Sequence, residues 1–101
     1  MKTIYKYQLE IKPKQAIKIR TGYRILSVQM QYNSLVVWAE VPAEDPDYKV
    51  YAEKKVFEED EVHFRIFGTG HEYRGTFLNY IGTVLQGPLV WHVFTKQIKP
   101  L

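Results

Sequence analysis

Apolar and polar positions alternate along this chain with a period of two from its first residues. Tyr5, Tyr7, Leu9 and Ile11 alternate with Lys6, Gln8, Glu10 and Lys12, the pattern of a strand with one face buried. Pro13 and Lys14 end it, and Ile17 and Ile19 set against Lys18 and Arg20 predict a short second strand. Thr21-Gly22 predicts a turn. Over residues 23–32, Leu26, Val28 and Met30 are expected to face one way and Ser27, Gln29 and Gln31 the other. Asn33-Ser34 fits a two-residue hairpin loop. Residues 35–41 are almost continuously apolar, so both faces of the fourth strand are expected to be covered, by a second sheet or by another subunit.

The second half continues in the same way. Residues 42–47 predict a loop, 48–57 a further strand and Glu58 to Glu61 an acidic turn. Val62, Phe64 and Ile66 then alternate with His63, Arg65 and Phe67. Gly68-Thr69-Gly70 breaks the strand, 71–76 are irregular, and 77–85 read as a strand with Gly82 at a bulge. Gln86-Gly87-Pro88 turns the chain into a last strand, 89–95. About eight short strands with no 3.6-residue periodicity predict one all-β domain over residues 1–101, a small antiparallel β-sandwich or barrel. Leu26, Val28, Val37, Phe64, Ile66, Trp91 and Val93 are the expected core.

Composition narrows the chemistry. The 101 residues include no Cys, which removes disulfides, thiolate metal ligands and Cys nucleophiles. The three histidines, His63, His71 and His92, lack metal-ligand spacing. His63-Phe64-Arg65 and His92-Val93-Phe94 fail the His-x-Thr/Ser pattern of two-histidine phosphoesterases. Ser occurs only at positions 27 and 34, and neither lies in a nucleophile elbow. No catalytic residue, metal or cofactor is therefore expected, and the chain is read as a non-enzyme. With no stretch of about 20 apolar residues and no apolar leader core, it is expected in the cytoplasm and off the membrane.

The net charge of +3 is uneven: +6 over residues 1–39, −6 over 40–61 and +3 over 62–101. Opposite segments can meet in the fold, or the basic ones can face an anionic ligand. Fifteen per cent of residues are aromatic, more than a domain this small readily hides, and a homo-oligomer would cover some of them. The basic first third lacks the motifs of known nucleic-acid binders, so nucleic acid is not favoured as a partner.

The stretch around Gly68, Thr69, Gly70 and His71 is the most distinctive. Two glycines allow a sharp turn that exposes backbone N–H groups to an anion, with Arg65 and Arg74 as nearby cations. The same residues also suit a plain turn needing positive φ. These six residues are the candidate ligand site.

A family resemblance rests on Ile4-Tyr5-Lys6-Tyr7, Ile25-Leu26-Ser27-Val28-Gln29 and Trp38-Ala39. It is carried further by residues 64–71 (Phe-Arg-Ile-Phe-Gly-Thr-Gly-His), Tyr80-Ile81-Gly82-Thr83-Val84 and Leu89-Val90-Trp91-His92-Val93-Phe94. With these, the chain resembles a family of small tailed-phage and prophage proteins that has no assigned activity. The resemblance implies a small phage protein acting in the host cytoplasm. By analogy of type with unrelated small phage proteins that bind nucleotide signals, it is expected to be an accessory protein that counters host defence by sequestering a nucleotide-derived signal. Alternatives are a protein-binding inhibitor of a host factor and a minor virion or assembly component.

Overall fold

The structure is a computed structural model and describes residues 1–44 and 56–97. Among the described residues there are seven strands and no helix: β1 (Lys2–Leu9), β2 (Lys14–Arg20), β3 (Arg24–Gln31), β4 (Ser34–Pro42), β5 (Glu59–Gly68), β6 (Leu78–Gln86) and β7 (Leu89–Lys96). They form two antiparallel sheets, one in the order β1-β4-β3 and one in the order β2-β5-β7-β6. This is the all-β sandwich that the period-two pattern predicts. The eighth strand expected over 48–57 falls mainly outside the described residues, and Val56 and Phe57 are not in a strand.

One apolar cluster joins the two inner faces. Leu35, Val37, Ala39 and Val41 of β4 meet Val62, Phe64 and Ile66 of β5 and Val93 of β7, with Leu9, Ile19, Val28 and Val84 around them. Five of the seven expected core residues are buried in it: Val28, Val37, Phe64, Ile66 and Val93. Trp91 sits at the rim, half-buried, where its indole N–H donates to the Gln86 carbonyl Oε1 at 3.1 Å. Leu26 is not in the core. The register slips between Ile25 and Ser27, so Leu26 is the extra residue of a bulge and is 40% exposed, while Ile25 packs inward.

Three further expectations shift. The β3–β4 hairpin turns at Tyr32-Asn33, one residue earlier than expected; both have positive φ, at 49° and 64°, as a type I′ turn requires. Glu59, Asp60 and Glu61 do not form a turn but pair within β5, where Glu59 and Glu61 lie opposite Arg20 and Lys18 of β2. The basic and acidic segments thus meet across a strand pair. In β6 the register slips between Tyr80 and Gly82, making Ile81 the bulged residue. Gly82 has a different role: a Cβ there would lie 2.4 Å from Val28 Cγ1. It lets β6 press against β3 where the two sheets approach.

Candidate functional site: a cleft on the outer face of the four-stranded sheet

The outward residues of the larger sheet follow from its register. One row across it is Lys14, Arg65, Phe94 and Tyr80; the next includes Phe67, His92 and Thr83. Alternation sends His92 and Phe94 outward because Trp91 and Val93 turn inward. The Ile81 bulge then returns Tyr80 and Thr83 to the same outer face.

Beyond Gly68 the chain folds back over this face. The His71 N–H donates to the Gly68 carbonyl at 3.1 Å, and the Gly68 N–H donates to His71 Nδ1 at 3.2 Å. Gly70 takes a φ of +88°, which suits glycine. A Cβ on Gly68 would lie 2.9 Å from the His71 ring, so only glycine lets that ring close the turn. One of the N–H groups expected to face an anion is therefore held by the protein's own imidazole.

Between the turn and the sheet lies a cleft of about 240 Å³, lined by Gly68, Thr69, Gly70 and His71 together with Phe67, Tyr73, Tyr80, His92 and Phe94. Four of the six candidate site residues thus come together. Arg65 and Arg74 do not line the cleft: Arg65 lies one strand away from Phe94, where its guanidinium donates to the Phe64 carbonyl at 3.0 Å, and Arg74 is exposed on the loop.

The walls are aromatic. Tyr73 stacks on Phe67 with ring centroids 4.2 Å apart and planes 9° from parallel. Phe94 meets Phe67 edge-on at 5.8 Å, and Tyr80 meets Phe94 edge-on at 5.5 Å. Such offset and edge geometries are those the ring quadrupoles favour. At the base runs a hydrogen-bonded chain. The Tyr80 hydroxyl meets Thr83 Oγ1, Thr83 Oγ1 lies 2.9 Å from His92 Nδ1, and His92 Nε2 lies 2.7 Å from Thr69 Oγ1. A neutral imidazole donates from one nitrogen and accepts at the other, so the chain runs in one direction at a time and leaves a spare hydroxyl donor at one end. That end, Thr69 or Tyr80, faces the cleft. The arrangement offers aromatic ring edges and faces and a switchable hydrogen-bond donor, and the described lining holds no carboxylate or ammonium.

His92, Tyr80, Thr83, Tyr73, Phe67 and Phe94 were not among the six residues assigned to the candidate ligand site from the sequence. The alternation at 91–94 contains the signal for His92 and Phe94. Nothing local announces Tyr80, because the bulge reverses its facing, nor Tyr73, which lies in an irregular loop. His63 is not part of the cleft. It pairs in register with Lys96, four residues along β7 from His92, and sits 3.6 Å from Glu61.

A second, larger groove of about 620 Å³ lies at the other end of the sheet, near Tyr23, Asp60, His63 and Lys96. Burial, then the nearby Asp60 carboxylate, pushes the Tyr23 phenol up from its ordinary value. Among the described residues no group of three or more His, Cys, Asp or Glu is placed to hold a metal ion, and no helix is long and apolar enough to cross a membrane.

The family model described as Domain of unknown function (DUF7352) matches residues 1–100. The chain belongs to this family. No curated protein and no solved structure matches it significantly. The DUF7352 match spans both sheets and every residue of the cleft.

Proposed function

We propose that this DUF7352 protein is a non-catalytic binding module whose cleft takes the base of a nucleotide-derived ligand. We further propose that it serves a phage by sequestering such a signal from host defence. The carrying observation is the cleft itself: aromatic walls with a reversible hydroxyl–imidazole chain at their base. Aromatic rings hold a base through its π-face, at roughly 1–3 kcal/mol per base. A reversible donor can serve either a donor or an acceptor on the base edge. At about 240 Å³ the cleft is below the usual ~300–1,000 Å³ of small-molecule sites, so it suits one ring system with the rest of the ligand lying across the sheet. Self-association belongs to the same proposal, since Leu85 and Leu89 are exposed at the β6–β7 hairpin and Tyr32 at the neighbouring hairpin tip.

The test is calorimetric titration of nucleosides, cyclic nucleotides and ADP-ribose-derived nucleotides into wild type and Tyr80→Ala. Tyr80 is 59% exposed, so the fold should tolerate its loss. Wild type should bind at least one of these, and Tyr80→Ala should bind it about tenfold more weakly or worse. Equal affinity in the two proteins, or no binding to wild type, would reject the cleft as a base site.

A second reading, an inhibitor docking on a host protein, draws on the same exposed tips, Tyr32, Leu85 and Leu89. The Asn33–Gln86 hydrogen bond at 3.3 Å holds those two hairpins together.

A further inference from the structure

We propose that Lys14 and Arg65 form a phosphate subsite beside the cleft. The proposal deepens the reading of the cleft as a base site: the ligand would be a nucleotide, with its phosphate held on the open sheet face and not at the glycine turn.

The pairing of β2 with β5 carries the argument. Directly opposite residues on one face interact, and like charges placed so are destabilising. One outward pair obeys this rule, Lys18 opposite Glu61. Arg20 is in register with Glu59 at the end of the strand, but its guanidinium turns to the Pro42 carbonyl, 2.9 Å away, and to the Tyr5 and Phe57 rings. The last outward pair breaks it, since Lys14 lies opposite Arg65. Among the described residues no carboxylate forms an ion pair with either cation. The ion pairs found there are Lys2–Glu40, Lys12–Glu10 and Arg24–Glu40, with a His63–Glu61 contact at 3.6 Å. Glu61, the nearest outward acid on β5, is four residues from Arg65, ~13 Å along the strand, and contacts His63. The next outward row adds His63 and Lys96 and no acid. A local rule broken without compensation, in a strand pair that keeps it at Lys18 and Glu61, is the mark of a site kept for a partner.

The geometry suits phosphate. Arg65 donates one N–H to the Phe64 carbonyl at 3.0 Å, which anchors the guanidinium and leaves its other donors for phosphate oxygens. Lys14 is exposed and supplies a mobile ammonium across from it. Arg65 is in register with Phe94, which lines the cleft, and neighbouring strands are ~4.8 Å apart. A base against Phe94 and Tyr80 would place its phosphate one to two strands away, over Arg65 and Lys14.

The experiment has two arms, each run on wild type, Lys14→Gln and the control Lys2→Gln. Lys2 is an exposed lysine already paired with Glu40 at 3.2 Å. In the first arm, inorganic phosphate replaces chloride at constant ionic strength and the melting temperature is read. Phosphate should raise it more in wild type and Lys2→Gln than in Lys14→Gln, where only the general stabilisation by a kosmotropic salt should remain. In phosphate-free buffer Lys14→Gln should be no less stable than wild type, because a repulsion has been removed. In the second arm, each nucleoside is titrated beside its 5′-monophosphate. The monophosphate should bind about tenfold tighter or better, and Lys14→Gln should erase that gain while leaving nucleoside affinity unchanged.

If nucleosides bind but the phosphate gain is absent, or persists in Lys14→Gln, the subsite is wrong and the cleft stands. If no nucleoside binds but inorganic phosphate stabilises in a Lys14-dependent way, the cleft reading falls and the subsite stands. A decathymidylate that binds far tighter than any monophosphate, with the same Lys14 dependence, would support the subsite and assign its phosphate to a nucleic-acid backbone. Absence of any Lys14-dependent response to phosphate overturns the proposal.

Discussion

The two sheets of this sandwich share a core but finish their outer faces in opposite ways. On the three-stranded sheet the polar groups satisfy one another. Glu40 at the centre accepts from Lys2 at 3.2 Å and from Arg24 at 3.4 Å, and Lys6 donates to Gln31 at 2.9 Å while lying 5.9 Å from the Trp38 ring centroid. Val36, outward on β4, is buried between the rows of Gln8 and Gln29. On the four-stranded sheet, Lys14 faces Arg65 without an acid among the described residues, four aromatic rings gather beside a loop, and a histidine links two threonine hydroxyls, one of which meets the Tyr80 hydroxyl. Surface polarity on its own says nothing about binding. What distinguishes the second face is that Lys14 and Arg65 have no acidic partner among the described residues and its rings are left half open.

The largest expected effect abolishes the comparison altogether. Phe64 is fully buried between the sheets, and Phe64→Ala should cost roughly 3–5 kcal/mol in chemical denaturation. Both outer faces should lose order together, because both rest on the one cluster. Gly82→Ala is gentler and more local. The added Cβ would meet Val28 Cγ1 at 2.4 Å, and such overpacking costs typically 1–3 kcal/mol. Because Gly82 sits between Tyr80 and Thr83, ligand affinity measured at temperatures where the variant is folded should fall, while the Lys2–Glu40–Arg24 network should keep its signature in acid.

That signature is the smallest effect and sharpens the contrast. The hydrogen bonds from Lys2, then Arg24, hold the Glu40 carboxyl below its ordinary value of 4.5. A lowered folded value means the carboxylate stabilises the fold above about pH 4.5 and that this contribution is lost as pH falls through the lowered value. Glu40→Gln should flatten the acid limb of a stability–pH curve slightly and leave nucleotide titrations unchanged. A change in ligand affinity in Glu40→Gln would show that the two faces are coupled, and the comparison would fail.

Much of the fold was legible from alternation, because period two is a local property of a half-buried strand. Val62, Phe64 and Ile66 inward with His63, Arg65 and Phe67 outward is read directly from spacing and holds in the structure. Alternation fails at bulges, which insert a residue without changing the letters around it. Leu26 was assigned inward on that basis and lies outward, and the facing of Tyr80 depends on the bulge at Ile81. The glycine turn was likewise visible as a candidate site, but its partners were not. Thr69 and His92 are 23 residues apart and meet only because β5 and β7 are neighbours in the sheet.

The sequence by itself determined that this is a β protein, where most of its strands lie, that Phe64 and its neighbours form the core, and that Gly68 to His71 make an unusual turn. Those properties follow from spacing, turn chemistry and residue type within a few positions. The tertiary structure alone decided that β2 pairs with β5, which sets Lys14 against Arg65. It also decided that β7 lies between β5 and β6, which completes the chain from Tyr80 through His92 to Thr69. Strand order and register are set by how the two sheets close over a shared core, and that global packing cannot be read from any single stretch of the chain.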